Sequence, residues 1–244
     1  MTNSEKTTAI QNSLELDNGE TLGLINPQSY KQHNPNLKDG FDAIMEFHRQ
    51  LPKDKVSVNV VRAFQDGDYG FVHVDYELFG PMVAFDIHRF ENGKSVEHWD
   101  NLQSNTKKPN KSGHTMTDGK TKAIDIELTE SNKKIVTDFV SQVLINKRPH
   151  ASKFFKGNLL IQHSPDIGDG VAEYLANLKQ DYTKLHRVLG EGNFVLTMSE
   201  GTLNRKIYSF FDLFRLNEGK IVEHWDVIEE IPPADKQKNS NGKF

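Results

Sequence analysis

Two stretches of this 244-residue chain are versions of one sequence, and that repeat limits the fold more than any other feature. Residues 85–100 read Phe85-Asp86-Ile87-His88-Arg89-Phe90-Glu91-Asn92-Gly93-Lys94-Ser95-Val96-Glu97-His98-Trp99-Asp100. Residues 211–226 read Phe211-Asp212-Leu213-Phe214-Arg215-Leu216-Asn217-Glu218-Gly219-Lys220-Ile221-Val222-Glu223-His224-Trp225-Asp226. Ten of the sixteen positions are identical at a constant offset of 126, and both tryptophans of the chain lie inside the repeat. Upstream, Gln32-His33-Asn34-Pro35 faces Gln162-His163-Ser164-Pro165, Asp39-Gly40 faces Asp169-Gly170, and Arg62 and Gly67 face Arg187 and Gly192. Offsets that drift by a few residues are what loop insertions produce. A long unit present twice is a duplicated domain, since solenoids need several short repeats.

The repeat sets the expected organisation: a first domain over 1–103, a polar linker over 104–126, a second domain over 127–231 and a flexible tail over 232–244. The linker is rich in Lys, Asn, Thr, Gly and Ser and has no apolar period. In the second copy, Ile135, Val136, Phe139, Val140, Val143 and Leu144 recur at helical spacing after Ser131, a residue suited to capping. A shorter helix is expected over 170–180, with a counterpart after Gly40 that carries Phe41, Ile44, Met45 and His48 on one face. Alternating strands follow over 56–60, 71–76, 85–90 and 95–102, and in the second copy over 183–189, 194–202, 206–216 and 221–229. Asn92-Gly93 and Glu218-Gly219 mark hairpin turns. Helices first and antiparallel strands after describe an α+β unit, with a cavity between the curved sheet and its helices as the expected place for function.

Composition removes several classes of function. The chain has no cysteine, which excludes disulfides, thiolate nucleophiles and cysteine-bound metal clusters. Thirty Lys and Arg against 34 Asp and Glu argue against a general nucleic-acid partner. No apolar run approaches the roughly 18 residues of a membrane span, and the first residues lack the pattern of a secretory leader, so a cytoplasmic location is expected. No phosphate-binding glycine loop occurs, Gly190-x-Gly192 reads as a hairpin turn, and no Gly-x-Ser-x-Gly elbow supports a serine nucleophile. No cofactor is implied.

Chemistry must then rest on Asp and His, with Arg or Tyr as further candidates. In a strand, residues two apart share a face, so His98 and Asp100 point one way and Trp99 the other; the same holds for His224, Asp226 and Trp225. A carboxylate and an imidazole in a dry pocket are enough for proton transfer next to a carbonyl. Asp100, His98, Asp226 and His224 are the expected catalytic groups, and sheet packing with edge hydrogen bonds is the competing reading. His33, His73, Asp86, Trp99, His163, Asp212 and Trp225 are the expected ligand-binding groups. Asp86 and Asp212 sit in apolar strands, where a buried carboxylate must find a partner. His33 and His163 fit either a backbone bond at a loop corner or a donor aimed into the pocket. A ligand set of His33, His73, His98 and Asp100 is conceivable, but no helical His-x-x-x-His spacing supports it, and no metal is expected. His73 becomes Met198 and His88 becomes Phe214 in the second copy, so the more polar first copy is the favoured active one.

Gln32-His33-Asn34-Pro35, Arg62 with Gly67-Asp68, Phe85-Asp86-Ile87 with Arg89, and Gly93-Lys94 through Asp100, each with its counterpart, resemble the SnoaL-like branch of the nuclear transport factor 2-like superfamily. Gly113-His114-Thr115-Met116-Thr117-Asp118-Gly119 resembles the joint of a two-domain subgroup described as SnoaL-like aldol-condensation enzymes. The resemblance implies two tandem cone-shaped α+β barrels, each a curved antiparallel sheet wrapped by helices, paired as a pseudo-dimer within one chain that is a monomer or dimerises further. It also implies a cofactor-independent cyclase, lyase or isomerase that uses Asp as acid and base on a small molecule. Such folds also bind ligands without turning them over, or serve only to pair.

Overall fold

The computed structural model describes residues 1–15, 19–147 and 151–244. The chain divides into two compact units: Met1–Asn105 together with Ile231–Phe244, and Thr106–Glu230. The segment expected as a linker therefore belongs to the second unit. The segment expected as a flexible tail lies along the first, where side-chain amides hold it to backbone carbonyls. Both units are α+β. Among the described residues no helix is long and apolar enough to cross a membrane.

The first unit runs α1 (Asn3–Asn12), α2 (Gly19–Leu22), β1 (Lys31–Gln32), α3 (Phe41–Gln50), β2 (Ser57–Asp66), β3 (Tyr69–Glu77), β4 (Pro81–Glu91) and β5 (Lys94–Ser104). The second runs α4 (Thr129–Phe139), β6 (Ile161–Gln162), α5 (Val171–Asn177), β7 (Asp181–Glu191), β8 (Phe194–Leu203), β9 (Lys206–Asn217) and β10 (Lys220–Glu230). Each sheet has five strands, in the orders β1-β5-β4-β3-β2 and β6-β10-β9-β8-β7. The four long strands are antiparallel neighbours. The two-residue strand that carries the repeated glutamine joins the last strand in parallel, with Gln32 beside His98 and Gln162 beside His224. Register shifts at Val60/Arg62 and Arg89/Phe90, and at Tyr182/Lys184, Leu185/Arg187 and Ile221/Glu223, add the local twist that bulges bring.

The helices cover one face of each sheet. α1 packs on β2 and β3. Its approach is close enough that a Cβ at Gly70 would meet Asn3 and Thr7. α4 lays Phe139 edge-on against Phe214 of β9. In the second unit this face is a continuous apolar core that includes Val136, Val140, Leu144, Tyr182, Phe210 and Phe214. α1 escapes a reading by apolar period because its inward residues include the polar Thr7 and Gln11. Its start is set by Thr2 and Glu5, which form a reciprocal capping box. Ser131 does not cap α4: that helix begins at Thr129, and the Ser131 hydroxyl bonds back to Leu128 O at 2.8 Å.

Candidate functional site

The strand register assembles the site. β4 and β5 pair so that Asp86 lies directly opposite Asp100 and His88 opposite His98. β9 and β10 repeat this with Asp212 opposite Asp226 and Phe214 opposite His224. Pleat and register together put two carboxyls and an imidazole on the helix-covered face of each unit. Opposed residues across a strand pair have Cβ atoms about 5 Å apart, where two like charges repel.

The imidazole is held at both ends. His98 Nδ1 lies 3.0 Å from Gln32 Oε1 and Nε2 lies 3.1 Å from Asp86 Oδ1. Gln32 Oε1 also accepts the Asn34 backbone N–H at 2.8 Å, which identifies it as the oxygen. His98 Nδ1 must therefore carry the proton and donate. Between Nε2 and Asp86 one further proton is shared, either on the ring or on the carboxyl. In the second unit Gln162 Oε1 accepts N–H bonds from His163 and Ser164 and takes the same bond from His224 Nδ1 at 3.0 Å, while His224 Nε2 lies 3.0 Å from Asp212 Oδ1. A tyrosine ends each chain of bonds. Tyr182 Oη sits 3.0 Å from Asp212 Oδ1. Tyr76 Oη sits 3.0 Å from Asp86 Oδ2 and 2.8 Å from Gln11 Oε1. The single hydroxyl proton of Tyr76 is divided between these two acceptors. Burial, ahead of the neighbouring Asp100, raises the Asp86 carboxyl above its ordinary value despite the opposing His98 bond. Burial likewise raises Tyr76 and Tyr182, and the adjacent carboxylates raise them further.

The second carboxyl differs. Asp100 Oδ2 accepts from Asn34 Nδ2 at 2.8 Å, and the Ser164 hydroxyl, at the matching position, bonds Asp226. The remaining oxygens, Asp100 Oδ1 and Asp226 Oδ1, are both buried without a hydrogen bond. Buried carboxylate oxygens are almost always satisfied, so an oxygen without a hydrogen bond at the same position of both copies sets this pair of carboxyls apart. Burial, aided by Asp212, pushes Asp226 up to about 6.

The other expected ligand-binding residues lie elsewhere. Trp99 points to the opposite sheet face, where His33 stacks on it at 4.6 Å; His163 stacks on Trp225 at 4.5 Å. Each histidine spans to a glutamate and to a backbone carbonyl: His33 to Glu97 (3.4 Å) and Gly242 O (2.8 Å), His163 to Glu223 (3.0 Å) and Thr115 O (2.9 Å). The backbone-bonded reading of these histidines is the one the structure contains. Burial raises Glu97 and Glu223, but bonds from Arg89 and His33, and from His163 and Arg215, outweigh it and bring both below the ordinary value. His73 is on this face too, against Phe85 and bonded by Arg62. The set His33, His73, His98 and Asp100 is thus divided between two faces and holds no common ion. Asp86, His98 and Asp100 do converge, as do His114, Asp118 and His163. Lys243 Nζ already stands 3.6 Å from Asp100 Oδ1, and both ring nitrogens of His163 are engaged.

Several residues of the site were not singled out from sequence. Gln32 and Gln162 open a repeated motif, but a glutamine carries no titratable group that would mark it as part of a site. Tyr76 and Tyr182 come from different strands of their units, so no repeat offset connects them. Lys243 reaches Asp100 from the far end of the chain.

No protein-family model and no curated protein matches the chain. Solved structures similar to it include a provisionally assigned ketosteroid isomerase from Kribbella flavida DSM 17836 (15% identity, 43% of this chain and 84% of that one, TM-score 0.37). Another is wild-type IdmH, provisionally a polyketide cyclase, from Streptomyces antibioticus (17% identity, 42% and 93%, TM-score 0.36). A third is an NTF2-like protein of unknown function from Cytophaga hutchinsonii ATCC 33406 (19% identity, 46% and 95%, TM-score 0.35). At such identities and scores the likeness bears on neither activity nor substrate.

Proposed function

We propose that the chain is a cofactor-independent lyase or isomerase of the aldol-condensation or cyclase type, acting on a small apolar carbonyl compound by acid–base catalysis. The observation that carries this reading is Asp226: a buried carboxyl with an unsatisfied oxygen, pushed up to about 6. Such a group is mostly ionised at neutral pH yet holds a proton well enough to return it, which suits a base that removes a proton next to a carbonyl and gives it back elsewhere. His224 does not act alone. Its Nδ1 is tied to Gln162, and the proton it shares with Asp212 is kept one strand across from Asp226. Its role is to hold that proton and so to disfavour a second charge beside the base.

The second unit is the better candidate, against the expectation from polarity alone, because Asp100 already faces the Lys243 ammonium. That same contact argues against turnover in the first unit, and ligand binding without turnover is the alternative for the chain as a whole.

The test is exchange of α-protons of cyclohexanone and 1-tetralone in D2O, followed by proton NMR. Exchange above the buffer rate, falling about 10²–10⁴-fold in Asp226→Asn, is expected. Exchange at the buffer rate across both ketones, or full activity in Asp226→Asn, would overturn the reading. Native mass spectrometry of the purified protein for a retained, unaltered small molecule separates binding from catalysis.

A further inference from the structure

The segment over 239–243 forms a strap on the first unit. Asn239 Nδ2 bonds Asn34 O (2.7 Å) and Leu37 O (2.9 Å), Asn241 Nδ2 bonds Gln32 O (2.9 Å), and Gly242 O receives His33 Nδ1 (2.8 Å). The second unit has its own strap. Asn110 Nδ2 bonds Gln162 O (2.6 Å) and Ile167 O (2.8 Å), and Thr115 O receives His163 Nδ1 (2.9 Å). In sequence Asn110, Ser112, Gly113 and His114 align with Asn239, Asn241, Gly242 and Lys243 at an offset of 129, so the straps are part of the duplication. Asn110 Oδ1 and Asn239 Oδ1 even accept the equivalent backbone N–H, from Ser112 and Asn241.

The straps differ at their last matched position. His114 is 30% exposed and turns to Asp118 and Asp169. Lys243 is 2% exposed and stands beside Asp100, itself 5% exposed. A lysine is almost never buried unless paired. Removing two charges from water is recovered only by their close approach, and breaking such a pair is costly. Nothing in holding a strap requires this, since the second strap is held without it.

We propose that Lys243 is the resident counter-ion of the first unit's carboxyl site: it occupies Asp100 as half of a buried ion pair, so that the two duplicated sites have diverged and proton transfer is left to Asp226. This rests on the acid–base reading above. Lys243 fills the position that a substrate group would need beside Asp100, and the strap delivers it. The second site has the same Gln–His–Asp–Tyr support and no ammonium at the matching position.

Two measurements separate this from the activity itself. The first is reductive methylation with mass spectrometry on the full chain. Lys243 should label at least about tenfold more slowly than exposed lysines such as Lys134, and Asp100→Asn should bring its rate toward theirs. Lys243 labelling as fast as Lys134 in the unaltered protein overturns the pairing, whatever the protein catalyses. The second is exchange of 1-tetralone with D2O. In an Asp226→Asn background, Lys243→Met keeps the apolar stem and removes the charge; it should restore exchange, and adding Asp100→Asn should abolish it again. Lys243→Arg, which retains the charge, should restore none. If the unaltered protein exchanges and the Asp226→Asn/Lys243→Met variant does not, the divergence of the two sites is refuted. Slow labelling without exchange in any variant upholds the pairing and refutes the catalytic reading instead.

Discussion

Asp226 should weaken the fold at neutral pH, and replacing it with asparagine should relieve that weakness only where the carboxyl is ionised. Burial raises Asp226 from an ordinary 3.8 to about 6, so the folded chain binds this proton more tightly than the unfolded chain does. The stabilisation from the protonated form is complete below pH 3.8 and is lost as pH rises through about 6. At about 1.4 kcal/mol per pH unit the full loss is about 3 kcal/mol, a large share of an ordinary domain's stability. Asp212 lies directly opposite and acts in the same direction, since removing one carboxyl relieves the other. Urea unfolding of Asp226→Asn and its parent at pH 4 and pH 8 measures the effect. Each unit carries one tryptophan, so a Trp99→Phe background leaves Trp225 fluorescence to report on the second unit. The asparagine variant should gain about 2–3 kcal/mol relative to its parent between pH 4 and pH 8. A difference under about 0.5 kcal/mol, or one of opposite sign, would mean that Asp226 is not held in a desolvated place and would remove the physical basis of the proposed base.

Other consequences are simpler to test. Tyr182→Phe removes the hydroxyl that bonds Asp212 and should cost about 1–3 kcal/mol in urea unfolding of the second unit. A cost near zero would show that bond to be idle. Gly119→Ala should lower the melting temperature, because Gly119 has φ +93° and a Cβ there would meet Glu223 Oε1 and approach Trp225 to 2.8 Å. The backbone term alone is about 1–2 kcal/mol, and an unchanged melting curve would show that the segment over 110–119 is not seated on Trp225.

The strand pattern made part of the site readable in advance. Alternation alone puts His98 with Asp100 and Trp99 on the other face, and both copies obey it. The Asn92-Gly93 turn is equally plain: Asn92 and Gly93 have φ values of 48° and 80°, the left-handed pair that a tight hairpin needs. What alternation cannot supply is the neighbour. That His98 meets Asp86 depends on the β4–β5 register, which a bulge at Arg89/Phe90 shifts by one residue after the turn. That it meets Gln32 depends on a two-residue parallel strand too short to show any period. The faces of His33 and His73 were unreadable for a related reason: His33 is placed by stacking on Trp99, and nothing local to either residue says which side of the sheet it joins.

The sequence by itself determined the duplication, the α+β class of each copy, the hairpins and the exclusion of thiol chemistry, because these follow from residue type, local periodicity and repetition. Only the tertiary structure decided which groups share protons, that a polar-faced helix starts the chain, and that Lys243 returns to Asp100. Those facts arise from contacts between residues far apart in the chain. Their energy comes from shared burial and cross-strand register, and neither is written in any one segment.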